Sequence, residues 1–182
     1  IKSKIIKSSD NFEPYKHDKE KMARPWALPG TPGLEHRIGG IEKRNNSGNI
    51  SYDPENHEKM VRLRNEKVNV IAESIPDLVP FGDESGEILV VGWGSTYGAI
   101  KTAVENAREE GLSVSHIQLR YLNPLPKNLG DILLRFEKII VPELNMGQLN
   151  SILRSKFLVD SIGVNKIKGK PFTVDEIYSE II

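Results

Sequence analysis

From Glu87 onward, short apolar runs alternate with segments of helical periodicity, and this alternation limits how the chain can fold more than any other feature. Residues 88–91 and 114–119 are predicted strands, and residues 138–141 are a third strand that Pro142 is expected to stop. Strands that alternate with helices are typical of βαβ units around a parallel sheet. The predicted fold class is therefore α/β, with a mostly parallel sheet flanked by helices.

Three apolar stripes between and after these strands predict the flanking helices. The stripes are Tyr97, Ile100, Val104 and Ala107, ended by Gly111; Leu129, Ile132, Leu133 and Phe136; and Leu149, Ile152, Leu153 and Phe157. A weaker strand is expected near residues 162–167. Thr173 and Glu176 predict a capping box that begins a terminal helix.

The first part of the chain differs from the rest in its amino-acid composition. Residues 1–52 are rich in Lys, Pro, Gly and Asn, which predicts irregular structure. Asp53 can cap a helix and Pro54 suits its first position, so an amphipathic helix is expected to begin there and to run toward Pro76. We therefore expect a loop-rich segment at residues 1–52, a helix with a linker at 53–82, and the α/β domain at 83–182.

Composition excludes several classes of function. The 182 residues include 25 Lys and Arg against 25 Asp and Glu, so the balanced charge gives no footprint for nucleic acid or an anionic membrane. No apolar run approaches the roughly 20 residues of a membrane span, and we expect a soluble, cytoplasmic protein. Without cysteine, the chain has no thiolate for an iron–sulfur cluster. Because it opens at Ile1 in a polar stretch, we interpret it as part of a longer protein.

A glycine-rich turn follows the first predicted strand and leads into a helix, which is a place where backbone N–H groups can bind an anion. The dinucleotide-binding pattern G-x-G-x-x-G does not fit, because the third glycine, Gly98, lies one residue too far along. A tight turn packed under its tryptophan is the simpler interpretation. The candidate anion or ligand residues are Gly92, Trp93, Gly94, Ser95 and Thr96.

A polar cluster follows the third predicted strand, at the sheet edge where open α/β sheets usually place ligands and contacts. Glu143, Asn145 and Gln148 could bind a polar group or a neighbouring chain. A single carboxylate without a paired base is not a catalytic set, so a subunit contact is favoured over chemistry.

No catalytic or metal site is predicted. The four histidines, His17, His36, His57 and His116, do not have the helical spacing of a zinc site. His116 lies inside a predicted strand, where a hydrogen-bonded structural role is expected. The serines lack the context of a nucleophile elbow, which leaves hydrolase chemistry without support.

Several sequence segments closely resemble segments of the alpha subunits of 2-oxoacid:ferredoxin oxidoreductases, and in particular those of the 2-oxoglutarate type. Residues 24–40 read RPWALPGTPGLEHRIGG and residues 51–57 read SYDPENH. The turn at residues 92–98, the LNPLP of residues 122–126 and the VPELNMGQL of residues 141–149 resemble the family's domain related to the transketolase C-terminal domain, also known as pyruvate-ferredoxin oxidoreductase domain II. The resemblance spans nearly the whole chain in the right order.

This resemblance implies an enzyme that uses thiamine diphosphate, magnesium, an iron–sulfur cluster and CoA. Such an enzyme decarboxylates a 2-oxoacid, passes the electrons to ferredoxin and forms an acyl-CoA. In the family the pyrimidine-binding domain lies upstream, and the beta subunit supplies the diphosphate and magnesium site and a cluster, so no cofactor is expected to bind within this chain. Residues 1–52 then correspond to the tail of the upstream domain. Arg24, Glu35 and His36 are candidates for positions near the active site of the whole enzyme.

The expected role is therefore assembly and subunit contact rather than direct catalysis. The expected partners are the beta subunit, a second alpha chain as a further candidate, and ferredoxin indirectly. An alternative from a different class is an autonomous nucleotide- or CoA-binding module that uses the glycine-rich turn. In such a module, phosphates would be bound by Arg120 or by the basic residues near Lys166, Lys168 and Lys170.

Overall fold

The computed structural model describes residues 4–182, which divide into two compact units, one ending at Ser74 and one spanning Ile75–Ile182. The first unit is mostly irregular. It contains the short parallel strands β1 (Ile5–Ile6) and β2 (Trp26–Ala27) and the long helix α1 (Pro54–Ile71). The expected irregular segment followed by a long helix is thus confirmed.

Helix α1 begins where the sequence predicts. The Asp53 side chain accepts a hydrogen bond from the backbone N–H of Glu55 at 3.1 Å, and Pro54 occupies the first turn, where no backbone N–H is needed. Met60 is buried on the inner face of the helix. The α-helix stops at Ile71 and continues only as a 3₁₀ turn, so it is shorter than the helix that was expected to run toward Pro76.

A buried asparagine of α1 holds the preceding loop in place. The Asn56 side chain donates to the carbonyl of Lys43 at 3.0 Å and accepts from the backbone N–H of Asn45 at 2.9 Å. Isolated bridges join Tyr15 to Asn46 and Lys43 to Ile50. The irregular segment therefore folds back on itself and on the helix, although it contains little regular structure.

The second unit is built on a four-stranded sheet. Its strands are β3 (Gly86–Trp93), β4 (Val114–Leu119), β5 (Phe136–Glu143) and β6 (Ser161–Asn165), in the order β4-β3-β5-β6. All neighbouring pairs are parallel. The predicted α/β fold class is confirmed, and the strand predicted at residues 114–119 has the observed bounds.

Four helices cover the sheet, two on each face. They are α2 (Tyr97–Glu109), α3 (Leu129–Leu133), α4 (Gln148–Phe157) and α5 (Val174–Ile181). Because successive strand residues point to opposite faces, Val90 packs in the core under α2 and α5, whereas Leu89 and Val91 pack in the core under α3 and α4. The predicted capping box is confirmed, since Thr173 and Glu176 exchange side chain to backbone hydrogen bonds.

Two predictions around β5 are wrong. Phe136, assigned to the second helix, instead begins β5, because α3 ends at Leu133 and Phe136 pairs with Gly86 in the ladder. Pro142, expected to stop the strand, lies inside it and pairs with Val164. The register between β3 and β5 extends only to Ile140, so this proline lies where β5 has one neighbouring strand, a position that tolerates its missing N–H.

Candidate functional site

The two polar motifs predicted from the sequence meet at the carboxyl edge of the sheet. From β3 the chain passes through α2 to β4 on one side, whereas from β5 it passes through α4 to β6 on the other side. Loops that diverge in this way leave a crevice, which is where open α/β sheets usually bind ligands. The glycine-rich turn after β3 and the polar cluster after β5 both border this crevice.

Glu143 fills the crevice from the end of β5. Its side chain is fully buried, and its carboxylate oxygens accept four hydrogen bonds. The donors are Trp93 Nε1 at 3.2 Å, Asn145 Nδ2 at 3.1 Å and the backbone N–H groups of Leu149 at 2.9 Å and Asn150 at 3.0 Å. One carboxylate therefore joins the turn after β3, the loop after β5 and the first turn of α4.

These four donors explain how a carboxylate can be buried here. An ionised carboxylate is costly to remove from water unless hydrogen bonds and positive charge compensate it. Leu149 and Asn150 lie in the first turn of α4, where free N–H groups and the helix dipole favour a negative charge. Glu143 thus acts as a cap for α4 from a neighbouring strand, and its hydrogen-bonding capacity is used within the protein.

Asn145 organises the loop between Glu143 and α4. Its Oδ1 accepts from the backbone N–H groups of Gly147 at 2.7 Å and Gln148 at 3.3 Å, while its amide nitrogen donates to Glu143. Gly147 has φ +89°, which favours glycine. Two of the predicted polar residues, Glu143 and Asn145, are therefore in direct contact, whereas the side chain of Gln148 is exposed at the surface.

The turn after β3 is closed by its own threonine. Thr96 Oγ1 accepts from the backbone N–H of Trp93 at 3.3 Å and donates to the Trp93 carbonyl at 2.9 Å. Gly94 has φ +61°, a conformation that suits glycine, and Ser95 is exposed. The Trp93 N–H is thus used inside the turn, and the indole N–H is used by Glu143, so neither is free for a phosphate.

A cavity of about 520 Å³ lies beside this turn. It is lined by Trp93, Gly94, Tyr97, Gln118, Leu119, Arg120 and Leu122. The structure therefore brings Arg120, the basic residue singled out after β4, to the same cavity as Gly94. This is the one feature of the second unit that resembles the alternative prediction of a nucleotide- or CoA-binding module.

Two polar side chains of β4, the buried His116 and the half-buried Gln118, face the same side of the sheet below α2. His116 Nδ1 lies 2.9 Å from the carbonyl of Val90, so the predicted hydrogen-bonded strand histidine is confirmed. Gln118 Nε2 donates to the carbonyl of Gly94 at 3.1 Å. Gln118 was not singled out from the sequence, although its two-residue spacing from His116 places both on one strand face.

Gly92 allows this arrangement. A Cβ at residue 92 would lie 2.5 Å from Gln118 Oε1 and 2.6 Å from Ile100 Cδ1. A side chain at position 92 would therefore displace the ends of Gln118 and Ile100, and glycine permits the close approach of β4 side chains to β3 without that shift.

Burial lowers the pKa of His116 below its ordinary value, and the hydrogen bond to the Val90 carbonyl offsets this only in part. The neutral imidazole is favoured in the folded state, so its contribution to stability is present above about pH 6.5 and is lost as the pH falls from there toward the lower pKa of the folded state. We expect the urea concentration at the unfolding midpoint of the second unit to decrease as the pH is lowered from about 6.5 to about 5. The decrease should be smaller in His116→Gln.

Trp93 fluorescence in a Trp26→Phe background reports this unit. His17→Gln is the matched control, because it removes a histidine from the other unit. An equal pH dependence in the wild type and in His116→Gln would contradict the assignment to His116.

Among residues 4–182, no group of three or more His, Asp or Glu side chains is arranged to hold a metal ion. Across the same residues, none of the helices combines the length and apolar character needed to span a bilayer.

The three residues proposed near the active site of the whole enzyme lie in the first unit. The Arg24 guanidinium lies 4.3 Å from the centre of the Tyr15 ring and lines a cavity beside α1. His36 Nδ1 lies 2.8 Å from the Leu34 carbonyl, and Glu35 is exposed. The structure does not place Glu35 or His36 in the lining of that cavity.

Exposed apolar side chains follow three of the four strands of the second unit. They are Tyr97 after β3, Tyr121 after β4, and Leu144 and Met146 after β5. We call these four residues the carboxyl-edge patch. Aromatic residues and methionine are enriched in protein interfaces, and the buried Glu143 helps to fix the loop that carries Leu144 and Met146.

Comparisons with known proteins agree with these observations. The family model described as pyruvate:ferredoxin oxidoreductase core domain II matches residues 86–177. A relative from Mycobacterium tuberculosis strain H37Rv, 2-oxoglutarate oxidoreductase subunit KorA, is 53% identical over 97% of this chain and 27% of its own length. The alpha subunit of 2-oxoacid:ferredoxin oxidoreductase 1 from Aeropyrum pernix is 31% identical over 94% of this chain and 27% of its own length.

A solved structure extends the similarity to both units. The 2-oxoglutarate:ferredoxin oxidoreductase from Magnetococcus marinus, with 2-oxoglutarate, coenzyme A and succinyl-CoA bound, matches with a TM-score of 0.89 and 28% identity. The match covers 98% of this chain and 31% of that one. The chain thus spans about a quarter to a third of the length of these relatives. The chain belongs to the family of pyruvate:ferredoxin oxidoreductase core domain II, and the resemblance to 2-oxoacid:ferredoxin oxidoreductase alpha subunits is confirmed.

Proposed function

We propose that this chain is the assembly part of the alpha subunit of a 2-oxoglutarate:ferredoxin oxidoreductase. The whole enzyme would decarboxylate 2-oxoglutarate, transfer the remaining acyl group to CoA and pass the released electrons to ferredoxin. The observation that carries this proposal is the 53% identity, over 97% of the chain, to a protein named as a subunit of a 2-oxoglutarate oxidoreductase. The same proposal includes a division of the chain into three parts. They are residues 1–52 as the tail of an upstream domain, 53–82 as helix and linker, and 83–182 as the assembly domain.

The chemistry of the second unit supports a structural role. Its buried carboxylate, Glu143, already accepts hydrogen bonds from four donors, so it is not poised to take a proton from a substrate. Its oxygens instead fix the position of Trp93, Asn145 and the start of α4. Glu143 and Asn145 would then shape the contact surface, and the exposed Gln148 would be part of it.

The cofactors are assigned to other parts of the proposed enzyme. The chain contains no cysteine, so its residues do not supply the thiolates that hold an iron–sulfur cluster. Thiamine diphosphate, magnesium and the cluster would be held by an upstream domain and by the beta subunit. Arg24, Glu35 and His36 would approach that active site from the first unit.

The beta subunit is the proposed partner of the carboxyl-edge patch, with a second alpha chain as a further partner and ferredoxin reached indirectly. Relatives named as subunits alpha of such oxidoreductases support a multi-subunit assembly. We place this assembly in the cytoplasm, where CoA thioesters are made and used.

The activity is tested on the native assembly. An affinity tag on the protein that carries this chain would recover it, together with its partners, from the cells that make it. We expect CoA-dependent reduction of ferredoxin with 2-oxoglutarate, and a value of kcat/KM at least about tenfold lower with pyruvate. A purified assembly that reduces ferredoxin with neither 2-oxoacid, although its cofactors are bound, would contradict the proposal.

The autonomous binding module remains the second candidate, because Arg120 and Gly94 line one cavity. It requires the isolated chain to bind CoA or NADP in a saturable way. Calorimetric titration of the chain and of Arg120→Gln with each ligand separates the two candidates, since the assembly role predicts no saturable binding that depends on Arg120.

A further inference from the structure

A second cavity, of about 370 Å³, lies entirely within the first unit, between the irregular segment and α1. Met60 and Leu63 of α1 form an apolar part of its wall. Its volume falls within the range of small-molecule sites. The cavity is formed by the described residues of this chain alone.

The charges around this cavity are predominantly positive. Arg24, Lys43, Arg64 and Lys67 all line it, against the single carboxylate of Glu42. The whole chain has no net charge, so this cluster is a local concentration of cations rather than a property of the overall composition. Cations gathered in a concave site raise the local potential and attract anions.

The one carboxylate is already engaged. Glu42 Oε2 lies 2.7 Å from His57 Nδ1, and Glu42 Oε1 accepts from Arg64 at 3.4 Å. Burial acts to raise the pKa of Glu42, but the hydrogen bonds from His57 and Arg64 outweigh it and leave the pKa below its ordinary value. Glu42 therefore compensates Arg64, while Arg24 and Lys67 have no carboxylate in the cavity lining other than this one.

The remaining positive charge around the cavity affects the pKa of His17. It lines the cavity and is half-buried. Burial lowers its pKa most, and the nearby charges of Arg24 and Lys67 lower it further, with a smaller opposing effect of Asp18. Arg24 and Lys67, which belong to different segments of the unit, therefore act on the same ring.

Two of the cations are held in place. The Lys43 ammonium is buried and donates to the carbonyls of Gly39, at 2.7 Å, and Ile41. The Arg24 guanidinium stacks on Tyr15. Ordering these side chains in advance reduces the entropy that a ligand must overcome on binding.

We propose that this cavity binds a small, doubly charged oxyanion, either a phosphate group or a dicarboxylate, between Arg24, Lys67 and His17. A guanidinium offers paired donors to either group, and an ammonium adds a point charge. The site shares Arg24 with the residues proposed near the active site of the whole enzyme, but it lies in the first unit and needs no partner subunit, so it can be tested separately from the proposed assembly role.

The test is an NMR titration of the His17 imidazole in the intact chain, assigned with His17→Gln. Inorganic phosphate and succinate are the two probes, with chloride used to hold the ionic strength constant. We expect saturable shifts of the His17 signals below about 10 mM of at least one probe, together with a raised pKa of His17 in the bound state. The probe that saturates identifies the source of the oxyanion.

Lys67→Gln changes an exposed side chain of α1 and is expected to weaken binding about tenfold, as is Arg24→Gln. Lys59→Gln is the matched control, because Lys59 is exposed on the same helix but does not line the cavity. A linear response to both probes would overturn the proposal. It would be equally overturned if Lys59→Gln weakened binding as much as Lys67→Gln.

Discussion

Replacing Glu143 with alanine is expected to lower the free energy of unfolding of the second unit by about 3 kcal/mol or more. The substitution leaves four donors without their acceptor: the Trp93 indole, the Asn145 amide and the N–H groups of Leu149 and Asn150. Buried polar groups that lose a charged partner each incur a desolvation penalty. Urea denaturation followed by Trp93 fluorescence, in a Trp26→Phe background, measures the loss.

Two further variants make this prediction specific. Glu143→Gln keeps one acceptor oxygen but places an NH₂ group against the donors, so we expect an intermediate loss of about 1.5–3 kcal/mol. Glu137→Ala removes an exposed carboxylate from the same strand and should change stability by no more than about 0.5 kcal/mol. If Glu143→Ala and Glu137→Ala were equally stable, Glu143 would not hold the crevice together.

The second large effect concerns association. The double substitution of Tyr97→Asp and Met146→Asp should weaken binding of the chain to the beta subunit about hundredfold, because two charges would have to be desolvated in an apolar contact. Tyr97 is 47% exposed and Met146 is 75% exposed, so neither change should unfold the second unit. Surface plasmon resonance with the immobilised beta subunit gives the Kd.

Leu134→Asp is the matched control for this surface. Leu134 is 73% exposed but follows α3 and precedes β5, which places it at the opposite, amino edge of the sheet. We expect its Kd to stay within about threefold of the wild type. A loss of affinity as large as that of the double variant would move the interface away from the carboxyl-edge patch.

Elements with strong local signals could be predicted from the sequence. Asp53 with Pro54 and Thr173 with Glu176 identify helix starts because capping involves residues only a few positions apart. The strand at residues 114–119 is recognisable because all but one of its residues are buried in a parallel sheet. In each case the deciding interaction is local or follows from periodicity alone.

Features that depend on the order of the strands could not be predicted in the same way. The hydrogen bond between Trp93 and Glu143 joins residues 50 positions apart and exists because β3 and β5 are neighbours. Pro142 looked like a strand end, and only the register shows that it lies where β5 has a single neighbouring strand. The two polar motifs of the site were therefore visible in the sequence, whereas their contact was not.

The carboxyl edge of the second unit is, in this account, a subunit contact whose shape Glu143 maintains. Hydrogen exchange measured on the free chain and on the purified assembly tests this claim most directly. We expect added protection in the assembly at residues 93–97, 120–122 and 143–148, with little change around Leu134. Unchanged exchange in these three segments, or protection confined to the amino edge, would contradict it.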